Sequence, residues 1–184
     1  MLIWNYHIRI YQNLKFMNNK VTIGVMQPYF FPYLGYFQLI NLVDKFVLYD
    51  DVNFIKQGWI NRNYILLNGA KHLFTIPVQN ISSYSKINET IIADKPFNWE
   101  DKLLQTLQQA YKKAPYFQEV FPIIESVIRA SSGKEISKIA TESIMSVMKY
   151  LSVKTALVQS SMGYNNDHLK NEERVIDICL KENA

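Results

Sequence analysis

The chain has 184 residues, of which 48% are hydrophobic and 20% are charged, with a formal net charge of +4. This length fits one folded unit, and this hydrophobic content supplies a sizeable core that needs no disulfide or structural metal. The single Cys179 cannot form an internal disulfide, and no apolar run reaches the roughly 18 residues that a membrane-spanning helix requires. We therefore expect a cytoplasmic protein without a membrane span.

The first sixteen residues differ from the rest of the chain. No cleavage site of small residues follows them, and polar residues interrupt their apolar stretches, so they do not fit a secretory signal. The interrupting residues are Asn5, His7, Arg9, Gln12 and Asn13. Met17, followed by a polar stretch and then an apolar one, is a more natural beginning. We predict that 1–16 is an appended or mis-started extension and that 17–184 forms a single domain.

A βαβ unit is predicted at the start of this domain. Residues 21–26 form a short apolar run that ends at Gln-Pro, which is typical of a buried strand. Apolar positions in 36–43 predict a short helix, and 46–49 predict a second strand closed by two aspartates. This order predicts a parallel sheet with a right-handed crossover.

The remaining elements predict a β-hairpin and a helical C-terminal half. Asn68-Gly69, between apolar runs at 64–67 and 73–78, is a strong hairpin signal. The later pattern predicts three helices, then a strand and a last helix, at 97–113 with Asn98 as its N-cap, 116–130, 136–151, 155–158 and 171–181. The predicted fold class is α/β with a mostly parallel sheet.

An aromatic loop follows the first predicted strand. Residues 27–37 read QPYFFPYLGYF, which places six aromatic residues within nine positions. Because so many cannot all point inward, some are expected to line a cleft. Ligands bind beyond the carboxyl ends of parallel strands, which is where this loop lies. We therefore predict substrate-binding roles for Gln27, Tyr29, Tyr33, Gly35 and Tyr36, although Gly35 could equally serve helix packing alone.

A second polar and aromatic segment, 50–63, follows the second predicted strand. Its two aspartates could hold a metal, bind sugar hydroxyls, act as a general base, or simply form a turn. We predict catalytic roles for Asp50, Asp51, Lys56 and Arg62, and substrate-binding roles for Gln57, Trp59 and Asn61. No metal ligands are assigned, since the chain has no Cys/His cluster.

The charges around this segment are unevenly distributed. Between Asp51 and Glu89 there is no carboxylate, whereas lysines and an arginine occur at 56, 62, 71 and 86. These are either scattered surface residues or a positive site for a phosphate or carboxylate. Weaker signals are the pair Asp167-His168, the exposed hairpin residue His72, and Ser160-Ser161 as part of an anion-binding loop.

QPYFFPYLGYF at 27–37 and DKFVLYDDVNFIKQGWINRN at 44–63 together resemble the WbqC-like protein family. The resemblance continues at 73–78 and 171–179 and spans about 21–181. Members accompany bacterial O-antigen and other surface-polysaccharide gene clusters, which implies work on an activated sugar or its precursor. Members also extend beyond the position corresponding to Ala184, so the resemblance implies a chain truncated at its C-terminus.

The start of the domain also resembles, more distantly, the HxGH nucleotidylyltransferases. The shared order is a strand, a proline-containing loop, Tyr33-Leu34-Gly35-Tyr36, a helix and a second strand. Tyrosines stand where those enzymes have histidines, and the proline spacing is one residue short. Histidine can be cationic near neutral pH, whereas tyrosine, with a pKa of about 10, can only donate or accept a hydrogen bond. The resemblance implies a nucleotidylyltransferase or Rossmann-like fold with changed chemistry.

Two hypotheses of function follow. In the first, the protein is a transferase of surface-polysaccharide biosynthesis that acts on a nucleotide-activated sugar or acyl donor. Tyr33 and Tyr36 then line the donor pocket, the basic residues at 56 and 62 hold a phosphate or carboxylate, and Asp50 or Asp51 orients or deprotonates the acceptor. In the second, the protein is a non-catalytic module that binds a sugar nucleotide or a partner enzyme. Nucleic acid is not an expected partner because the charge is modest and no recognition motif occurs. The sequence identifies neither a cofactor nor an oligomeric state.

Overall fold

The computed structural model describes residues 21–79, 81, 82, 84–93 and 98–184 of the chain. The predicted extension at 1–16 lies outside these residues. Within them, no helix is long and apolar enough to cross a membrane.

A three-stranded parallel sheet carries the N-terminal part of the structure. Its strands are β1 (Ile23–Met26), β2 (Lys45–Leu48) and β5 (Ala156–Val158), with β2 in the middle. The helix α1 (Leu34–Leu42) connects β1 to β2. The predicted βαβ unit is therefore confirmed, although the helix begins two residues earlier than its apolar pattern indicates.

The central strand explains why the sequence forms this sheet. Phe46, Val47 and Leu48 are all fully buried, as expected for a parallel strand that is covered on both faces. On β1, a Cβ atom at Gly24 would lie 2.7 Å from Cδ2 of Phe46, so only glycine lets this ring pack against the neighbouring strand. The packing of β1 on β2 thus depends on the large ring of Phe46 and on the absence of a side chain at Gly24, its register partner.

The β-hairpin is a separate two-stranded sheet. Its strands β3 (Arg62–Leu67) and β4 (Ala70–Thr75) pair antiparallel around Asn68 and Gly69, whose φ angles are 51° and 78°. Positive φ at both central residues is the geometry that favours Asn-Gly in two-residue hairpin turns. The predicted hairpin is confirmed, but β4 begins and ends earlier than predicted.

Four further helices build the C-terminal half. They are α2 (Trp99–Tyr111), α3 (Phe117–Arg129), α4 (Ile136–Tyr150) and α5 (Asn171–Lys181). Two short 3-10 turns, Ile87–Glu89 and Ser161–Tyr164, connect the elements. Asn98 occupies the N-cap position of α2 as predicted, but its side chain makes no capping bond to the backbone and donates to Asp101 instead.

The helix α4 contributes to both hydrophobic cores. One core lies among the hairpin, α2, α3 and α4 and includes Ile76, Leu104 and Ile139. The other lies between α1, the parallel sheet and α4 and includes Phe46 and Ile144. Because α4 packs into both, it fixes the helical half against the carboxyl ends of the parallel strands, where the candidate site lies.

Candidate functional site

A groove runs along the edge of the sheet where β1 and β2 end. It consists of two adjoining cavities of about 510 and 650 Å³, and both are lined by Gln27, Tyr49 and Ile55. Gln27 follows β1 and Tyr49 follows β2, so the groove lies where ligands bind in open parallel sheets. We call the first cavity the aromatic half and the second the charged half.

The aromatic half is lined by rings from the predicted loop. Tyr29 and Tyr33 meet edge to face with ring centroids 6.3 Å apart, and Tyr33 is 58% exposed. Tyr36 also lines this cavity but is only 1% exposed, and its hydroxyl donates to the carbonyl of Gln27 at 3.0 Å. Burial raises the pKa of Tyr36 above its ordinary value. Tyr33 can therefore stack on a ligand, whereas Tyr36 forms a fixed wall.

Gly35 gives Tyr33 its position. A Cβ atom at Gly35 would lie 2.6 Å from Cε2 of Tyr33, so the absence of a side chain lets the tyrosine ring fold over the first turn of α1. The space beside Gly35 is thus taken by the Tyr33 ring, and Gly35 lines neither half of the groove.

Trp59 forms the opposite wall of the aromatic half. It is 49% exposed, and its ring centroid lies 5.5 Å from that of Tyr64 on β3. The guanidinium carbon of Arg62 lies 5.9 Å from the Trp59 ring centroid, and Arg62 Nε donates to the carbonyl of Gly58 at 2.7 Å. Arg62 contacts the back of this wall and does not line either half of the groove.

Hydrogen bonds hold the aromatic loop against the hairpin. Phe30 N donates to the carbonyl of Ile60 at 3.1 Å, and Asn63 Nδ2 donates to the carbonyl of Phe31 at 2.7 Å. Asn61 is buried, and its Nδ2 donates to the carbonyl of Ile76 at 2.7 Å. Asn61 therefore lies behind the cavity and fixes the start of the hairpin.

Lys56 and Gln57 lie on the outside of the turn before Trp59. Both are exposed, and Gln57 has a φ of 66°, which lets Gly58 N donate to the carbonyl of Ile55 at 2.9 Å. Neither side chain lines the groove. The structure thus brings Gln27, the tyrosines, Trp59 and Asp51 together and places the side chains at 56, 57 and 62 elsewhere.

The charged half is centred on a buried ion pair. Arg174 Nη2 lies 2.5 Å from Asp51 Oδ2, and each side chain is 7% exposed. The Arg174 guanidinium also lies over the Tyr49 ring, 5.0 Å from its centroid. Such a pair offsets its desolvation only when further hydrogen bonds satisfy the remaining donors and acceptors.

Asn166 supplies those further hydrogen bonds. Its Oδ1 accepts from Nε and Nη2 of Arg174 at 3.1 and 3.0 Å. Its Nδ2 donates to the Arg174 carbonyl at 3.1 Å and to Asp177 Oδ2 at 2.8 Å. The guanidinium is therefore held in one orientation.

Ser161 joins the two adjacent aspartates. Its hydroxyl donates to Asp51 Oδ1, and its backbone N–H donates to Asp50 Oδ1 at 3.1 Å. Ser160 Oγ donates to the same Asp50 oxygen at 2.8 Å. Burial raises the pKa of Asp50, and the hydrogen bond from Ser160 opposes that rise. Asp51 lines the groove, whereas Asp50 lines a different cavity on the other side of the turn.

Two lysines line the charged half without a carboxylate partner. Lys86 and Lys170 form no ion pair with any carboxylate in the described part of the chain. Asn171, the first residue of α5, also lines this half, so the positive end of the helix dipole is close. Asp167 is the second acidic residue in the lining. The charged half therefore offers two lysines that pair with no carboxylate in the described ranges, around a neutralised arginine.

Sequence reasoning did not single out Arg174, Asn166, Lys170 or Tyr49. The one available signal was the family resemblance at 171–179, which includes Arg174 but assigns it no role. Ser160-Ser161, considered as an anion-binding loop, binds the two carboxylates of the protein itself.

The two histidines considered from the sequence lie outside the groove. His72 and His168 are exposed and line neither half. In the ranges that the structure describes, no group of three or more His, Cys, Asp or Glu side chains could hold a metal ion.

Three comparisons with known proteins bear on the family of this chain. A relative from Mycobacterium tuberculosis (strain ATCC 25618 / H37Rv), named "Uncharacterized protein Rv1507c", is 29% identical over 163 residues, which cover 88% of this chain and 69% of the relative. No solved structure matches the chain. The model of the WbqC-like protein family matches residues 27–184, which include both halves of the groove. The chain belongs to the WbqC-like protein family.

Proposed function

We propose that the protein is a transferase of bacterial surface-polysaccharide biosynthesis that binds a nucleotide-activated sugar, or a related anionic donor, in the groove. The observation that carries this proposal is the continuity of an aromatic and a positively charged cavity at the carboxyl edge of a parallel sheet. The association of the family with surface-polysaccharide gene clusters supports the choice of a sugar donor.

The aromatic half suits the base or the sugar ring of such a donor. Tyr33 and Trp59 are half exposed and stand on different elements, so a planar group can contact either ring face. Stacking on aromatic side chains tolerates different bases because every base has a π face. Tyr29 adds a hydroxyl close to Tyr33.

The charged half suits the phosphates or carboxylate of the donor. Lys86 and Lys170, which pair with no carboxylate among the described residues, supply positive charge, and the start of α5 supplies backbone N–H groups. In this proposal these groups, rather than Lys56 and Arg62, hold the anion. Asp51 orients Arg174, since one carboxylate oxygen accepts from Arg174 and the other from Ser161.

A second candidate function is a non-catalytic module that binds a sugar nucleotide or a partner enzyme. The observation in its favour is that Asp51, the buried carboxylate of the groove, has both oxygens occupied by hydrogen bonds. Both oxygens of Asp51 are thus engaged by donors of the protein itself. Catalysis would then depend on Asp50, on the far side of the turn.

Binding is tested by calorimetry with a panel of nucleoside diphosphate sugars. We expect Trp59→Ala and the double variant Lys86→Ala/Lys170→Ala each to weaken binding about tenfold or more, because each removes a stacking or charge contact. Lys56→Ala is the matched control, since this lysine is exposed and lies outside the lining. Arg62→Ala should have a smaller effect, transmitted through Trp59.

Two outcomes decide the proposal. If no nucleotide sugar binds, or if the Lys86/Lys170 variant binds as well as the Lys56 control, the groove is not the donor site. If binding is confirmed, mass spectrometry of donor and acceptor mixtures separates the two candidates: a transferred group identifies a transferase, and an unchanged donor identifies a binding module.

A further inference from the structure

A second cavity of about 560 Å³ lies on the other side of the Asp50–Asp51 turn. It is bounded by α4 and by the residues that follow β2 and β5. The lining residues that carry the argument are Asp50, Asn88, Thr141, Glu142, Gln159 and Ser160. None of them lines the groove described above.

We propose that this second cavity binds a small amino sugar, with its ammonium group near Asp50 and Glu142. The inference rests on the proposed transferase function only where it identifies this ligand as the acceptor.

The charge of the second cavity disfavours an anionic ligand of the kind that suits the groove. Asp50 is buried. Glu142 is half-buried and lies 3.9 Å from Lys134, which is outside the lining. The one lysine of the lining, Lys138, is paired with Glu135 at 2.8 Å. The lining therefore has an excess of negative charge, which disfavours a phosphate. Burial raises the pKa of Asp50, and a cation placed beside it would oppose that rise.

The uncharged side chains suit a ligand with several hydroxyl groups. The exposed amide of Gln159 forms no hydrogen bond with the described residues, so both of its ends can bind a ligand. Oδ1 of Asn88 is buried and accepts no hydrogen bond from them either. An unsatisfied acceptor of this kind costs free energy, and rotation of the amide towards a ligand hydroxyl would recover it. Thr141 donates to the carbonyl of Ser137 at 2.8 Å and keeps its lone pairs for a ligand donor.

The two cavities meet at adjacent residues. Asp51 lines the groove and Asp50 lines the second cavity, and Ser161 bonds to both carboxyl groups. Ligands bound on the two sides would therefore approach the same turn from opposite faces.

The experiment is saturation-transfer NMR on the whole chain with three probes: glucosamine, glucose and glucose 6-phosphate. We expect a stronger signal from glucosamine than from glucose. Any signal from glucose 6-phosphate should come from the groove and should be lost in the Lys86→Ala/Lys170→Ala variant. Glu142→Lys should weaken glucosamine binding about tenfold, because a like charge then faces the ammonium group. Gln159→Ala should weaken it by a smaller factor. Both positions are solvent-accessible, so neither variant should unfold the chain.

Glu125→Lys on α3 is the matched control, since it makes the same charge change away from both cavities. A glucose 6-phosphate signal that persists in the Lys86→Ala/Lys170→Ala variant, no binding of glucosamine, or unchanged glucosamine binding in both cavity variants would overturn the inference. Nucleotide-sugar binding is measured on the same samples. If it persists while the glucosamine result fails, only the second site is refuted; if glucosamine binds as expected and no nucleotide sugar binds, the proposed donor function fails instead.

Discussion

The charged and aromatic halves of the groove are held in place in different ways. In the charged half the side chains bind one another, since Arg174 bonds to Asp51 and Asn166, and Asn166 bonds to Asp177. In the aromatic half the rings of Tyr33 and Trp59 are half exposed, and the hydrogen bonds lie behind them in the loop and hairpin backbone.

This difference determines how far the side chains of each half can rearrange. A network of mutually bonded buried groups has one low-energy arrangement, and removal of any member leaves the others unpaired. Half-exposed rings can change rotamer at small cost. We infer that the charged half fixes the position of a ligand and that the aromatic half can adapt to its size.

The largest effect is expected for Arg174→Ala. It leaves Asp51 buried without its cation, and breaking one partner of a buried ion pair costs about 3–5 kcal/mol of unfolding free energy. Urea denaturation followed by circular dichroism measures this loss. Arg129→Ala removes an exposed ion pair with Asp101 and is the control, for which a much smaller loss is expected. Similar losses in the two variants would show that the buried pair in the charged half stabilises the fold no more than an exposed ion pair does.

Asn61→Ala should have an intermediate effect on the support of the aromatic half. It removes the buried donor to the Ile76 carbonyl, which predicts a loss of about 1–3 kcal/mol in unfolding free energy. The comparison is Asn63→Ala, whose bond to Phe31 is only partly buried and whose loss should be smaller. The reverse order in urea denaturation would show that the loop, not the start of the hairpin, anchors this half.

Trp59→Ala should cost less, about 1 kcal/mol, because it removes an exposed aromatic contact with Tyr64 and a cation–π contact with Arg62. Thermal and urea denaturation test this value. A loss of unfolding free energy as large as that of Arg174→Ala would show that the aromatic half is held as rigidly as the charged half.

The smallest effect is expected from pH, through Glu182 after α5. Hydrogen bonds from Lys45 and from Tyr164 lower the pKa of Glu182 below its usual 4.5. Since the folded pKa is the lower one, this carboxylate stabilises the fold above about pH 4.5, and that contribution is lost as pH falls through the folded pKa. Melting temperature measured against pH should therefore fall less steeply in acid for Glu182→Gln than for the unmodified chain. Identical slopes would exclude Glu182 as the cause.

Much of the fold could be predicted from the sequence because its signals are local. Asn68-Gly69 dictates a turn with positive φ, and the apolar spacing at 171–181 predicts α5 with its observed bounds. The start of α1 was predicted two residues late because Leu34, 70% exposed, carries no apolar-face signal.

From the sequence, only those parts of the site whose position follows from the order of strands and helices could be predicted. The loop at 27–37 had to lie at the carboxyl edge of the sheet once the βαβ unit was recognised. The pair of Asp51 and Arg174 joins residues 123 positions apart, and no local pattern encodes such a contact. Charge counting along 51–89 likewise gives no side-chain direction, so it could not separate Lys86, in the groove, from Lys56, outside it.

The hairpin belongs to a different sheet from the strands that carry the rest of the groove. Trp59 lies three residues before β3, and the hairpin pairs in a register of its own, separate from that of β1, β2 and β5. Substitutions in β3 and β4 can alter the width between Trp59 and Tyr33 without disturbing the parallel ladder. Under the proposed function, donor preference within the family would then diverge by mutation of the hairpin alone, while the scaffold and the charged half stay the same.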